Sequence, residues 1–393
     1  MKKIRIGDVC NILNGYAFKS DNYVNEGIRI IRIANVQKGY IEDDAPIFYP
    51  LGSKGLDKYM LEDGDLLISL TGNVGRVALL QKEMLPAALN QRVACLRIKT
   101  DKIKKEFLFH VLNSDFFEHR CIQSSKGVAQ KNMSTEWLKD YEIPLYSIEK
   151  QLKIIEVLNN MRSVISLRNI ELSELNNLIK SRFVEMFGDP LSNPKGWDKV
   201  NISYVISGKV SNGFFAKRDD YCEAGNIKVL GVVNIVNRMY ANTENLPQTN
   251  GTDVDITKYG VKYGDMLFCR SSLVAQGIGK ASIVPQGISD NILFECHVIR
   301  LPLDLSKCVP EFMQVLSTTE YFRRQIISQS KTATMTTIGQ DGILKTDIIL
   351  PPIKLQKYFL QFVQQVDKSK LLVQKSLEQT QQLFDSLMQK YFS

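Results

Sequence analysis

Two long stretches of this chain carry apolar residues at seven-residue spacing. In the first, from about Ile148 to Phe187, Leu158, Ile165, Leu172, Ile179 and Met186 form one stripe. Ile154, Met161, Arg168 and Leu175 form a second, four positions earlier. In the other stretch, from about Ile353 to Phe392, the stripes are Val363, Lys370, Leu377, Phe384 and Tyr391, with Phe359, Val366, Val373, Thr380 and Leu387. Two such stripes make the seam of a coiled coil. Neither interior contains Gly or Pro, so each stretch predicts one unbroken helix.

A helix with a single apolar seam needs a partner, and the cheapest partner is the other copy. Phe392 follows Phe187 by 205 positions, as Ser386 follows Ser181 and Gln356 follows Gln151. The expected pairing residues are Leu158, Ile165, Leu172 and Ile179 on one helix and Val366, Val373, Leu377 and Phe384 on the other. Arg168 and Lys370 interrupt the seams about one turn apart. Each either fixes register or lays its stem past the seam. The plainer alternative is two unrelated amphipathic helices, each packed on its own domain.

The stretches before the helices repeat as well. In the first, Ile28 to Val36 has strand character, and the turn at Gly64-Asp65 feeds a strand at Leu66-Leu67-Ile68. Thr71 to Arg76 is a Gly-rich turn, followed by strands at Val77 to Leu80 and Arg92 to Ile98. Glu106 to Ile122 reads as one helix, and Ser124 to Ser134 as a polar, basic loop. In the second, Asn212-Gly213-Phe214-Phe215-Ala216-Lys217 echoes Asn14-Gly15-Tyr16-Ala17-Phe18-Lys19. Gly264-Asp265 echoes Gly64-Asp65, Gly279-Lys280 echoes Gly75-Arg76, and Ser330-Lys331 echoes Ser125-Lys126. The offset drifts from 198 at Lys217 to 205 in the helices, the mark of loop insertions. The expected fold is α+β with a pseudo-two-fold internal repeat. It has mixed α/β domains at 1–146 and 189–351 and long antiparallel coiled-coil helices at 147–188 and 352–393.

The length, 393 residues, is ample for such a plan. A formal charge of +8 permits nucleic-acid binding without demanding it. The seven cysteines include no C-x-x-C pair and read as reduced thiols of a cytoplasmic protein. The start, Met1-Lys2-Lys3-Ile4-Arg5, lacks the apolar core of a signal peptide, and no apolar run is long enough to cross a membrane. No catalytic constellation or metal site is expected, because His110, His119 and His297 are scattered. Asn193-Pro194-Lys195-Gly196 lacks the aromatic of an adenine-methyltransferase motif, and Gly277-Ile278-Gly279-Lys280 fails the Walker A spacing. Helices of about 38 residues extend roughly 57 Å. Paired helices of that length suit two dissimilar surfaces held at a constant gap, on the scale of successive major grooves.

Several short motifs, in order and duplicated, resemble the specificity (S) subunit of Type I restriction-modification systems. They are Gly127 to Met133, Ile143-Pro144-Leu145 through Gln151, and Ser181 to Pro190, with a second copy from Ile349-Leu350-Pro351-Pro352 through Gln356. The first copy has Tyr146-Ser147 where the second has its double proline. The resemblance covers essentially the whole chain. It implies two target-recognition domains, each reading half of a bipartite site in double-stranded DNA. It implies helices that set the gap and dock two methyltransferase (M) subunits, with restriction (R) subunits joining through them. It implies no catalysis in this chain and no cofactor of its own, since M subunits bind S-adenosylmethionine and R subunits use ATP. The competing classes are a self-contained DNA methyltransferase or nuclease and a coiled-coil assembly protein unrelated to DNA.

On that reading the candidate DNA contacts are cations and amides in matched turns. Arg76 and Lys280 sit on Gly-rich hairpins, and Lys19 and Lys217 follow the echoed Asn-Gly turns. Lys126, Gln130, Lys131 and Asn132, with Lys331, Thr334 and Thr336 in the second half, offer ammonium, amide and hydroxyl groups together. Tyr16 and Phe214 read as core aromatics, and Asn35 and Asn234 as structural amides.

Overall fold

The computed structural model describes residues 2–125 and 132–393. The chain forms two compact units, Met1–Ile170 with Gln374–Ser393, and Glu171–Val373. Both long stretches are single helices, Ile148–Phe187 and Ile353–Phe392, and each supplies a segment to each unit.

In the first unit a four-stranded antiparallel sheet runs in the order Cys10–Asn14, Val93–Ile98, Leu66–Ser69, Val77–Leu79. A three-stranded sheet pairs Ile28–Ile31 in parallel with Ala87–Leu89 and antiparallel with Phe48–Tyr49. The strand Leu66–Ser69 is buried on both faces, which explains its unbroken apolar run. Leu66 and Ile68 join the core shared with the helices, and Leu67 joins a second core with Ile31 and Leu89. Lys3–Arg5 pairs with Glu142–Pro144, closing the domain just before the long helix.

The second unit repeats this plan. Its four-stranded sheet orders Ser211–Asn212, Val298–Pro302, Asp265–Cys269 and Ala281–Ile283. Ile227–Leu230 again runs parallel to a neighbour, Ile292–Phe294, and Lys199–Asn201 pairs with Asp347–Ile349. A three-stranded sheet joins Ser271–Ser272, Thr336–Thr337 and Lys331–Thr332. The Gly-Asp echo is structural. Asp65 Oδ2 accepts the Glu62 amide at 2.8 Å, and Asp265 Oδ2 accepts the Lys262 amide at 3.0 Å. Asp65 is buried and takes two further hydrogen bonds from Arg97, at 2.9 and 2.7 Å.

The long helices complete both cores. In the first unit Ile154 and Leu158, early in one helix, pack in the same cluster as Met388 and Phe392, late in the other. Phe392 meets the Phe107 ring edge-on with centroids 5.6 Å apart. In the second unit Ile179, Phe183 and Phe187 pack with Phe359, Val363 and Val366, so late residues meet early ones. Phe312 stacks on Phe183 at 5.5 Å and meets Phe187 edge-on at 4.9 Å. In both units the helices therefore run antiparallel. Of the expected seam, Leu158, Ile179, Val366 and Val373 are buried, and Ile165, Leu172, Leu377 and Phe384 are half-buried. Lys370 is half-buried and pairs with Asp367 at 3.2 Å.

Two expectations change. The region 106–122 is two helices, Lys105–Leu112 and Asp115–Ser124. Ser114 breaks them apart, its hydroxyl accepting the Phe117 amide at 3.2 Å as an N-cap. Thr319 plays the same part between Pro310–Thr318 and Glu320–Ser328. The strand from Ile28 stops at Ile31, because the buried Asn35 accepts the Arg32 amide at 2.9 Å and turns the chain.

A buried glutamine anchors each long helix to its own domain. Gln151 accepts the Lys104 amide at 2.8 Å and donates to the Lys102 and Tyr146 carbonyls, both at 2.9 Å. Gln356 accepts the Val309 amide at 2.9 Å and donates to the Pro351 carbonyl at 2.8 Å. Both are fully buried, so losing the side chain strands backbone groups away from water. Gln356→Ala is expected to lower unfolding stability by about 2–3 kcal/mol, measured by urea titration. A change below about 0.5 kcal/mol would show that the anchor is dispensable.

Candidate nucleic-acid interface

The Gly-rich hairpins are held in matching ways. Gly75 and Gly279 have φ of +81° and +61°, a region that L side chains rarely adopt. A Cβ on Gly75 would lie 2.8 Å from Cys121, and one on Gly279 would lie 2.4 Å from Ile326. Backbone conformation and the close approach of a helix thus both demand glycine, and the next residue, Arg76 or Lys280, takes a defined place.

Each hairpin cation is tethered by an amide from the same upstream segment. The Arg76 guanidinium donates to the Gln37 side-chain oxygen, and Lys280 Nζ donates to Asn237 Oδ1 at 2.7 Å. Gln37 and Asn237 are 200 positions apart, so the tether is part of the repeat. Arg76 and Lys280 are half-buried.

A second element comes alongside each hairpin. Thr71 forms an antiparallel bridge with Asn132, which places that exposed amide beside the Arg76 turn. The matching pair in the second unit is Ser271 with Thr337, extended into the three-stranded sheet with Lys331–Thr332. Lys331 and Thr334 are exposed there. Thr336 is buried and its hydroxyl meets that of Thr332 at 3.0 Å, so it presents no group to solvent. Lys126, Gln130 and Lys131 lie outside the described residues. Lys19 and Lys217 are exposed and each begins a short 3-10 helix, Ser20–Asn22 and Arg218–Asp220. Tyr16 stacks edge-on against Phe18, and Phe214 against Tyr259.

Three cations that sequence reasoning left aside stand near the hairpins, two in the second unit and one in the first. Arg270 donates to the Cys296 carbonyl at 3.2 Å, Arg323 to the Gln276 carbonyl at 3.1 Å, and in the first unit Lys38 bridges Asp115 and Glu118. The first two fall at positions without an echoed motif, so periodicity gave no signal. Gln37 and Asn237 did carry one, as amides at a matched offset.

Comparison with known proteins shows what this arrangement is similar to. Residues 1–177 match the family model described as the Type I restriction modification DNA specificity domain. The Type I restriction enzyme EcoBI specificity subunit of Escherichia coli is 23% identical over 99% of this chain and 85% of its own. The chain is similar throughout to Type I specificity subunits. The EcoKI specificity subunit of Escherichia coli K12 is 20% identical over 98% of this chain and 87% of its own. A crystal structure of the S subunit from M. genitalium superposes with a TM-score of 0.54 at 14% identity, covering 100% of this chain and 96% of that one. A chain from work on complex assembly and conformational transition of the type I R-M system gives 0.56 at 17% identity, covering 99% and 97%. At these identities the structures speak for the fold, and the resemblance read from the motifs holds. Among the described residues no group of three or more His, Cys, Asp or Glu is placed to hold a metal ion, and no helix is long and apolar enough to cross a membrane.

His110 is buried on the helix Lys105–Leu112, with Nε2 2.8 Å from Asn159 Oδ1 on the long helix. Burial pushes its pKa down to about 4, and nearby Arg162 adds to the shift. The unfolded imidazole takes a proton near pH 6.5. Stability contributed by the neutral folded form is therefore present above about pH 6.5 and is lost as pH falls from there to about 4. The unfolding midpoint is expected to drop across that window and His110→Gln to flatten the drop. An unchanged slope in the variant would rule His110 out as its source.

Proposed function

We propose that this chain reads a bipartite duplex target, one half with each hairpin-bearing domain, as the specificity subunit of a Type I restriction-modification complex. The carrying observation is the duplicated arrangement itself: a glycine-locked hairpin, a cation tethered by an amide, and a polar strand or bridge beside it. Ammonium and guanidinium groups so placed suit phosphate contacts that set register on the duplex, and Asn132, Lys331 and Thr334 suit base edges.

The long helices set the gap between half-sites and dock two M subunits, through which R subunits join. In support, Leu152, Leu167 and Ile170 on the first helix are at least half exposed in one unit, and Leu371 and Leu372 on the second helix are about 70% exposed in the other. Apolar residues exposed on helices already paired along their seam are typical of surfaces that meet further protein. Chemistry belongs to the partners: M subunits carry S-adenosylmethionine, R subunits use ATP, and this chain supplies no catalytic group. The complex works in the cytoplasm.

Mapping methylated adenines in cells with and without the gene is expected to yield one split motif. Exchanging residues 1–146 for the matching domain of another subunit of this kind should change one half of that motif and leave the gap and the other half intact. A change in both halves, or methylation by the purified chain without a partner, would refute the reading. On the mapped duplex, Lys280→Ala in the complex should weaken binding and lower the log–log salt slope by about 1.

A further inference from the structure

The two hairpin turns differ in length. Strand pairing aligns Leu66–Ser69 with Met266–Cys269, so Thr71 corresponds to Ser271, and the buried Val74 before Gly75-Arg76 corresponds to the buried Ile278 before Gly279-Lys280. Between these points the first half has only Gly72-Asn73, whereas the second has Ser272 to Gly277. The longer turn exposes two apolar side chains, Leu273 at 82% and Val274 at 58%.

These side chains are not scattered. Ser272 pairs with Thr336, and one further step along that register sets Leu273 at the same end of the sheet as Met335, itself 39% exposed. The turn is anchored, since Arg323 donates to the Gln276 carbonyl at 3.1 Å and Val274 N donates to Ser272 Oγ at 3.3 Å. Arg270 precedes the strand that leads to the tip, Lys331 lies in the third strand of the same sheet and Arg323 holds the turn, none of them in an ion pair among the described residues. Uncompensated cations beside exposed apolar groups complement a surface that is anionic outside and apolar within. The major groove of duplex DNA offers this where phosphates flank a thymine 5-methyl group.

We infer that the Leu273-Val274 tip is an apolar reading element that packs against a thymine methyl in the half-site read by the second unit, a device that the shorter Gly72-Asn73 turn of the first unit does not carry. This rests on the DNA-reading function proposed above. The cations place the tip by holding phosphates, and the tip then discriminates by burying a methyl, worth about four-fold in affinity.

The test uses the chain assembled with its M subunits on the mapped target, with each thymine of that half-site replaced in turn by deoxyuridine, which lacks only the methyl. The native complex is expected to bind about four-fold more weakly at one or two positions. The double variant Leu273→Ser/Val274→Ser should bind the thymine and uracil duplexes alike there. Leu273→Met/Val274→Ile, which keeps an apolar tip, should retain the difference. Methyl removal without effect in the native complex, or with an equal effect in the serine variant, would overturn the assignment. So would serine-variant affinity unchanged on duplex DNA but lost on anionic phosphatidylserine vesicles. A complex that distinguishes its target from random duplex, yet ignores both the methyl and the tip, defeats this inference alone. A complex with no sequence preference defeats the DNA-reading function itself.

Discussion

Neither globular part of this protein closes its core without side chains from the long helices. The first borrows Ile154, Leu158, Met388 and Phe392, and the second borrows Ile179, Phe183, Phe187, Phe359 and Val363. Each of these is nearly inaccessible to solvent, and burial of a side chain of this size stabilises by about 1.5–3 kcal/mol. The helices are therefore structural parts of the domains and not tethers attached to them. An isolated helix with one apolar seam would be marginal in water, so the dependence runs both ways.

Within each unit this dependence extends to the hairpin. Gln151 and Gln356 fix the start of a long helix to the loop before a domain helix, and the next domain helix presses Cys121 or Ile326 against the hairpin glycine. A chain of packed and hydrogen-bonded groups thus runs from helix seam to hairpin cation in both halves. That rigidity is what a reader of sequence needs, since base edges are distinguished only by groups held in place. The halves share this frame but differ at the hairpin tips, where differences alter what is read without disturbing the core.

Much of this was legible in the amino-acid order, because two signals were strong. Seven-residue spacing of apolar residues without Gly or Pro forces a long paired helix, and the offset, constant at 205 within the helices, marks equivalent positions there. The Gly-Asp and Gly-cation echoes located the turns, although Asp65 and Asp265 turned out to brace backbone amides. The break at Ser114 was hidden because apolar spacing runs on across it, and only the capping pattern of Ser114 before Asp115 marked it. The strand at Ile28 looked longer than it is because Asn35 diverts the chain through its side chain, which hydropathy does not register. Burial of Thr336 depends on the three-stranded sheet beside the second hairpin, which sequence pattern alone does not show. The drift in offset between Ser271 and Ile278 showed that residues were inserted, but not that Leu273 would face solvent.

The most direct measurement of the shared-core claim is hydrogen exchange on the full-length chain carrying Phe392→Ala. If the last turns of the second helix are part of the first domain's core, protection should fall in Lys105–Leu112, through Phe107, and around Ile154 and Leu158, while the sheet containing Asp265–Cys269 keeps its protection. Loss of protection confined to the last turn of the mutated helix would contradict the account.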